Sequence, residues 1–170
     1  MNSRIGRLIG LAAMVAAGLA SADEVRHLNS GRVLPADLPF SEAVQVGDTL
    51  YLSGMVGVVP GTMMLVEGGM AAEARQTMDN IRTVLETHGY RMADVVKCTV
   101  MLADIGEWGD FNPIYQGYFS PPYPARSALG ANGLALGARV EVECLAVQSQ
   151  ADSPDSTNAA ATQASGGMTR

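Results

Sequence analysis

The stretch from Arg139 to Gln148 constrains this chain more than any other. It alternates with a period of two: Val140, Val142, Cys144 and Ala146 fall on one side, Glu141 and Glu143 on the other. A period of two is the signature of a half-buried strand. The apolar side has to be covered by a core. One carboxylate on the other side would be ordinary solvated surface. Two of them, two residues apart on a strand otherwise this apolar, point to a wet cleft or a subunit interface.

The remaining pattern supplies what covers the apolar side. Between Met70 and His88, the residues Ala71, Ala74, Met78, Ile81, Leu85 and His88 recur at steps of three and four, which predicts a helix with one apolar face. Gly89 closes it as a C-cap. Val95 to Ala103 is β-branched and apolar, a buried strand. Asp110 to Phe119 reads as a second helix, with Asp110 as N-cap, Pro113 in the first turn, and Phe111, Ile114, Tyr115, Tyr118 and Phe119 on one face. The run Pro121-Pro122-Tyr123-Pro124 ends it, and Ser127 to Leu129 reads as a short strand. Upstream, Glu42–Val46 and Thr49–Ser53 flank Gly47-Asp48 as a hairpin, after which Gly54, Gly57, Pro60 and Gly61 break the chain into loop. The order β-β-loop-α-β-α-β-β predicts an α+β domain with two helices on one face of a mixed sheet.

Composition sets the outer limits. The chain has 170 residues, 48% of them apolar and 16% charged, which excludes a disordered chain. Two cysteines exclude a disulfide-stapled miniprotein. Residues 1–22 read as a secretory signal peptide: Arg4 and Arg7, an apolar run from Leu8 to Leu19, then Ala20-Ser21-Ala22 before Asp23-Glu24. That run is too short for a membrane anchor, which takes about 20 residues. Residues 149–170, rich in Ala, Ser, Thr and Gln, read as a disordered tail, leaving 23–148 as one domain. Cleavage after Ala22 would leave 9 basic and 17 acidic residues, a net charge of −8. Such a chain is expected to be soluble and exported, periplasmic or secreted, with neither nucleic acid nor membrane as partner.

Six separated motifs then resemble one known family. Pro124-Ala125-Arg126-Ser127 is followed fifteen residues after the arginine by Glu141, within Val-Glu-Val-Glu-Cys-Leu-Ala-Val. Tyr51-Leu52-Ser53-Gly54, the helix from Glu73 to Leu85, Asp94-Val95-Val96-Lys97 and Phe111-Asn112-Pro113-Ile114-Tyr115 occur in the matching order. Over Pro39 to Gln148 the chain is similar to the Rid/YjgF family, the imine/enamine deaminases once called L-PSP endoribonucleases. The resemblance implies a chorismate-mutase-like fold and a homotrimer whose sheets form a central barrel with clefts between subunits. It also implies hydrolysis of 2-imino or 2-enamino acids to 2-keto acids and ammonia, without metal or organic cofactor.

The resemblance assigns roles that the chemistry can support. An imino acid presents a carboxylate beside an electrophilic carbon, and a planar guanidinium holds a carboxylate with two hydrogen bonds where lysine cannot. Arg126 matches the family's substrate-binding arginine. Glu141 matches the residue that orients the attacking water, with Glu143 beside it as a structural or interfacial neighbour. Ser53 and Asn112 match positions lining the cleft, although both residue types also serve as caps and turns. Gly54 would let backbone approach a ligand closely. Phe40 stands where the family often has a tyrosine, so its ring can wall the pocket but offers no hydroxyl, which implies another substrate or a lower rate. Ala128 stands where the family often has a cysteine.

Other chemistries find no footing. His27 and His88 are the only histidines and lie far apart in the chain, so no metal site is expected. Met63-Met64 read as packing rather than a copper site. No phosphate loop, nucleotide fingerprint or nucleophile elbow occurs. Cys98 and Cys144 read as free buried cysteines, a disulfide being open to them if their strands are neighbours. Beside the deaminase stands a second reading, a non-catalytic module binding small carboxylates in the same cleft. An endoribonuclease is disfavoured by the acidic charge.

Overall fold

A computed structural model describes residues 23–148; the signal-peptide and tail expectations for 1–22 and 149–170 lie outside the described residues. The elements are β1 (Val25–Leu28), β2 (Ala43–Val46), β3 (Thr49–Leu52), β4 (Met55–Val56), α1 (Gly69–Thr87), β5 (Val95–Leu102), α2 (Trp108–Gln116), β6 (Ala125–Gly130) and β7 (Val140–Val147). Short 3-10 turns precede β5, α2 and β7.

The strands form one sheet in the order β1-β2-β3-β7-β5-β6, with β4 also paired to β7. Only β5 and β6 are parallel partners; the other pairs are antiparallel. Both β4 and β5 run antiparallel to β7, so α1 is the crossover between β4 and β5 and α2 the crossover between β5 and β6. This is the expected α+β architecture, with β7 at the centre.

The alternation of β7 is realised residue by residue. Val140, Val142, Cys144 and Ala146 are buried against the helices, while Glu141 and Glu143 face the other way. That open face is mixed: Tyr51, Leu129 and Val147 are exposed on it beside the two glutamates. In α1 the buried stripe runs through Met70, Ala74, Met78, Ile81, Val84 and Leu85, with Thr77 and Asn80 buried too; Ala71, expected on it, is exposed. Gly89 has φ +83°, and the Tyr90 and Gly89 amides donate to the carbonyls of Leu85 and Glu86. That is the left-handed C-terminal cap expected of Gly89, with Tyr90 buried beneath it.

Several boundaries move. The second helix starts at Trp108, two residues before the expected start, and Asp110 sits in its first turn rather than capping it. An acidic residue is favourable at both places, at the first turn through the helix dipole, so its identity alone does not fix the boundary. The strand expected at Ser127–Leu129 extends to Ala125–Gly130 and takes in Arg126. The loop expected after Ser53 contains the two-residue β4, held from above by Asn80, whose Nδ2 donates to the carbonyls of Val56 and Val58 at 3.1 and 3.0 Å.

Cys98 and Cys144 are not free: they form a disulfide, with Cα atoms 4.2 Å apart. The register sets them directly opposite each other on β5 and β7, so the strands are neighbours and the cysteines share the helix-facing side. The bridge closes a loop of 46 residues, for which restriction of the unfolded chain contributes about 2–4 kcal/mol. Cys98→Ala/Cys144→Ala is expected to lower unfolding stability by about that amount. Equilibrium denaturation measures it, and added reductant is expected to destabilise the wild type while leaving the double variant's transition in place.

Candidate functional site

The register sorts the candidate residues before any distance is considered. Arg126 pairs with Cys98, which pairs with Cys144, so all three point to the helix side of the sheet. Glu141 pairs with Met101 and lies on the opposite side. Within one chain, Arg126 and Glu141 are therefore on different faces, with β5 between their strands. The candidate residues form two groups.

The first group surrounds Arg126 on the edge strand β6. Its guanidinium lies over two rings of α2, 4.4 Å from the centroid of Trp108 and 4.6 Å from that of Tyr115. Trp108 and Tyr115 are seven residues apart, two helical turns, so both rings face the same strand. Phe111, fully buried between them in sequence, stacks at 6.1 Å on Trp108 and 5.7 Å on Tyr115 and fixes the row. Ring contacts of this kind contribute about 0.5–2 kcal/mol each and orient the planar cation. Among the described residues, no hydrogen bond or ion pair occupies the Arg126 guanidinium. Its donors are oriented by the aromatic pair and available to an acceptor.

Arg126 opens into a recess of about 270 Å³ lined by Asn112, Tyr115, Gln116, Tyr123, Pro124 and Arg126 itself. Asn112, expected to line the cleft, lines this recess. Burial pushes the Tyr115 hydroxyl above its usual titration range, with the Arg126 charge pulling the other way. That hydroxyl is buried without a hydrogen-bond partner.

The second group lies on the open face around Glu141. Val56 of β4 pairs with Glu141, which brings the preceding Ser53-Gly54 corner under the carboxylate. A Cβ on Gly54 would fall inside the Glu141 side chain, 2.9 Å from Cδ and 3.2 Å from Cγ. Glycine at 54 is what lets the glutamate lie across the corner. Burial pushes the Glu141 carboxyl above the usual carboxylate range, and the Glu143 charge adds to the effect. The Ser53 hydroxyl donates to the Ser41 carbonyl at 2.7 Å, tying β3 to the segment before β2. Phe40, half exposed, lies before β2 beside Leu34, Leu38 and Glu42, toward the end of the sheet opposite β6.

Trp108, Gln116 and Tyr123 carry no motif that marks them in the sequence, and Tyr115 reads there as part of an apolar helix face. The seven-residue spacing of Trp108 and Tyr115 is a signal only once the helix is taken to start at Trp108.

The fold is an α+β domain with Arg126 set over two rings of α2 at the sheet edge. The comparisons identify the family. The profile described as Endoribonuclease L-PSP matches residues 31–148. A Bos taurus protein named 2-iminobutanoate/2-iminopropanoate deaminase is 43% identical over 125 residues, 73% of this chain and 91% of the relative. The Homo sapiens protein of the same name is 43% identical over 123 residues, 72% and 90% of the two chains. The crystal structure of RidA from an Antarctic Psychrobacter superposes with a TM-score of 0.68 at 36% identity, covering 72% of this chain and 99% of that one. The chain belongs to the L-PSP family, the Rid/YjgF group.

Two outcomes follow from this geometry. Trp108→Leu removes one face of the clamp and is expected to weaken binding of a small 2-keto acid about three- to tenfold, read by calorimetry. Glu143→Gln removes a like charge and is expected to lower the titration midpoint of Glu141, read by carboxyl carbon NMR; an unmoved midpoint would remove Glu143 from the site's electrostatics.

Proposed function

We propose that this protein is an imine/enamine deaminase that hydrolyses 2-imino acids to 2-keto acids and ammonia. The observation that carries the reading is the Arg126 guanidinium, oriented between Trp108 and Tyr115 with its donors unoccupied beside a small recess. The names of the 43% identical relatives support it.

In this reading Arg126 takes the substrate carboxylate with two parallel hydrogen bonds and fixes the plane of the adjoining C=N group. Glu141 accepts a hydrogen bond from a water aimed at the imine carbon and takes its proton as the C–O bond forms. Starting from the protonated imine, this addition gives a neutral carbinolamine. Its amine takes the proton back from Glu141 and departs as ammonia, while the hydroxyl proton passes to the freed Glu141 carboxylate, and from there to solvent, as the C=O bond closes. A carboxyl with a raised pKa suits both halves of this exchange, because it holds a proton readily and gives it up again.

The two residues belong to opposite faces of one sheet, so the reading includes a second copy. That placement calls for a second copy, and the homotrimer implied by the family resemblance is proposed as the form it takes. The Arg126 edge of one protomer meets the open face of the next, where Glu141, Gly54 and Ser53 lie, with Phe40 walling the cleft. The exposed Tyr51, Leu129 and Val147 would then be covered by neighbouring copies. Export through the leader at 1–22 is proposed as well, and the Cys98–Cys144 disulfide suits an oxidising compartment. The net charge of −6 gives no support to phosphate-backbone binding, despite the family's older label.

Arg126→Ala is expected to lower kcat/KM for imines generated in situ by an amino-acid oxidase at least about a hundredfold, and Arg126→Lys is expected not to restore it. Keto-acid and ammonia release measure both. Wild-type rates in either variant would reject the reading.

A further inference from the structure

The Arg126 recess carries more polar chemistry than an α-carboxylate needs. Beside Asn112 it presents the side chains of Gln116 and Tyr123. Gln116 Nε2 donates to the Tyr123 hydroxyl oxygen at 3.1 Å. With that oxygen already accepting, the phenolic proton of Tyr123 is left to donate elsewhere. Gln116 lies on α2, one helical turn beyond Asn112, and Tyr123 is three residues before Arg126. Pro121, Pro122 and Pro124 restrict the backbone on both sides of Tyr123, so the ring is presented without a large loss of freedom on binding. Tyr123 is also about half exposed, and its hydroxyl has no acceptor among the described residues.

A three-carbon imino acid held by its carboxylate on Arg126 leaves most of a 270 Å³ recess unfilled. The polar groups around that space are those of Asn112, Gln116 and Tyr123, set beside the apolar surfaces of Tyr115, Tyr123 and Pro124. A substrate side chain entering there displaces water from Gln116, Tyr123 and Asn112, and a hydrogen-bonding side chain replaces those contacts where an alkyl one does not.

We propose that Tyr123, held by Gln116, is a specificity-determining donor that reads a hydrogen-bond acceptor on the substrate side chain. The substrate class is then 2-imino acids bearing a carbonyl, amide or hydroxyl oxygen, in preference to those with alkyl or thioether chains. This rests on the deaminase reading above and adds to it the identity of the side-chain partner.

The test compares two imines of similar length, those generated by an amino-acid oxidase from glutamine and from methionine. Wild type is expected to show higher kcat/KM for the glutamine imine. Tyr123→Phe is expected to lower kcat/KM for the glutamine imine five- to tenfold more than for the methionine imine, through KM rather than kcat. Gln116→Ala is expected to shift the preference in the same direction by a smaller factor, through loss of the phenol's orientation. If wild type favours the methionine imine, or if Tyr123→Phe slows both imines by the same factor, the assignment of Tyr123 is overturned while the deaminase reading stands. If wild type turns over neither imine, the deaminase reading fails and takes this assignment with it.

Discussion

The two-sided character of β7 governs the rest of the structure. It is the strand to which β3, β4 and β5 all pair, so its alternation decides what each face of the sheet becomes. Val140, Val142, Cys144 and Ala146 require a cover and receive α1, against which α2 packs in turn. Glu141 and Glu143 are thereby committed to the other side, in surroundings apolar enough to raise the carboxyl of Glu141. A one-residue slip of this strand would bury both carboxylates and expose the core residues, so its register is strongly specified. The disulfide between Cys98 and Cys144 pins the same register covalently.

From that constraint follows the division of the candidate site. The edge strand β6 sits two strands away from β7, and the pairing through Cys98 turns Arg126 toward α2. The helix meets it with Trp108 and Tyr115, which orient the guanidinium without neutralising it. A carboxylate partner would have occupied its donors, and among the described residues none does. Around Glu141 the logic is the reverse: Gly54 contributes an absence, the missing Cβ that lets the acid lie across the corner before β4. Each half is organised within the chain, and the proposed hydrolysis of a C=N bond draws on both.

Much of this was legible in the sequence because it rests on periodicity. The stripe from Ala74 to Leu85 and the alternation from Val140 to Val147 carry their burial in their spacing, and Gly89 marks its cap by residue type. β1 and β4 were not legible for the converse reason. Val25-Arg26-His27-Leu28 is exposed along most of its length, and Met55-Val56 is a two-residue strand bounded by glycines, defined by its partner β7 rather than by any pattern of its own. Ala71 fits the helical spacing but lies at the margin of the buried stripe and is exposed, although Met70 beside it is buried. Arg126, Glu141, Asn112 and Gly54 could be named from motifs. Their separation onto two faces could not, because it depends on the pairing of β5 with both β6 and β7.

The central claim, that one protomer supplies the arginine and another the glutamate, is tested most directly by mixing two inactive variants. If Arg126→Ala and Glu141→Gln proteins are dissociated together and reassembled in equal amounts, the proposed trimer would carry both intact residues at about a quarter of its subunit boundaries. The account expects about a quarter of wild-type deaminase activity to return, although neither variant alone has any. Mixed trimers verified by mass that remain as inactive as the separate variants would contradict it.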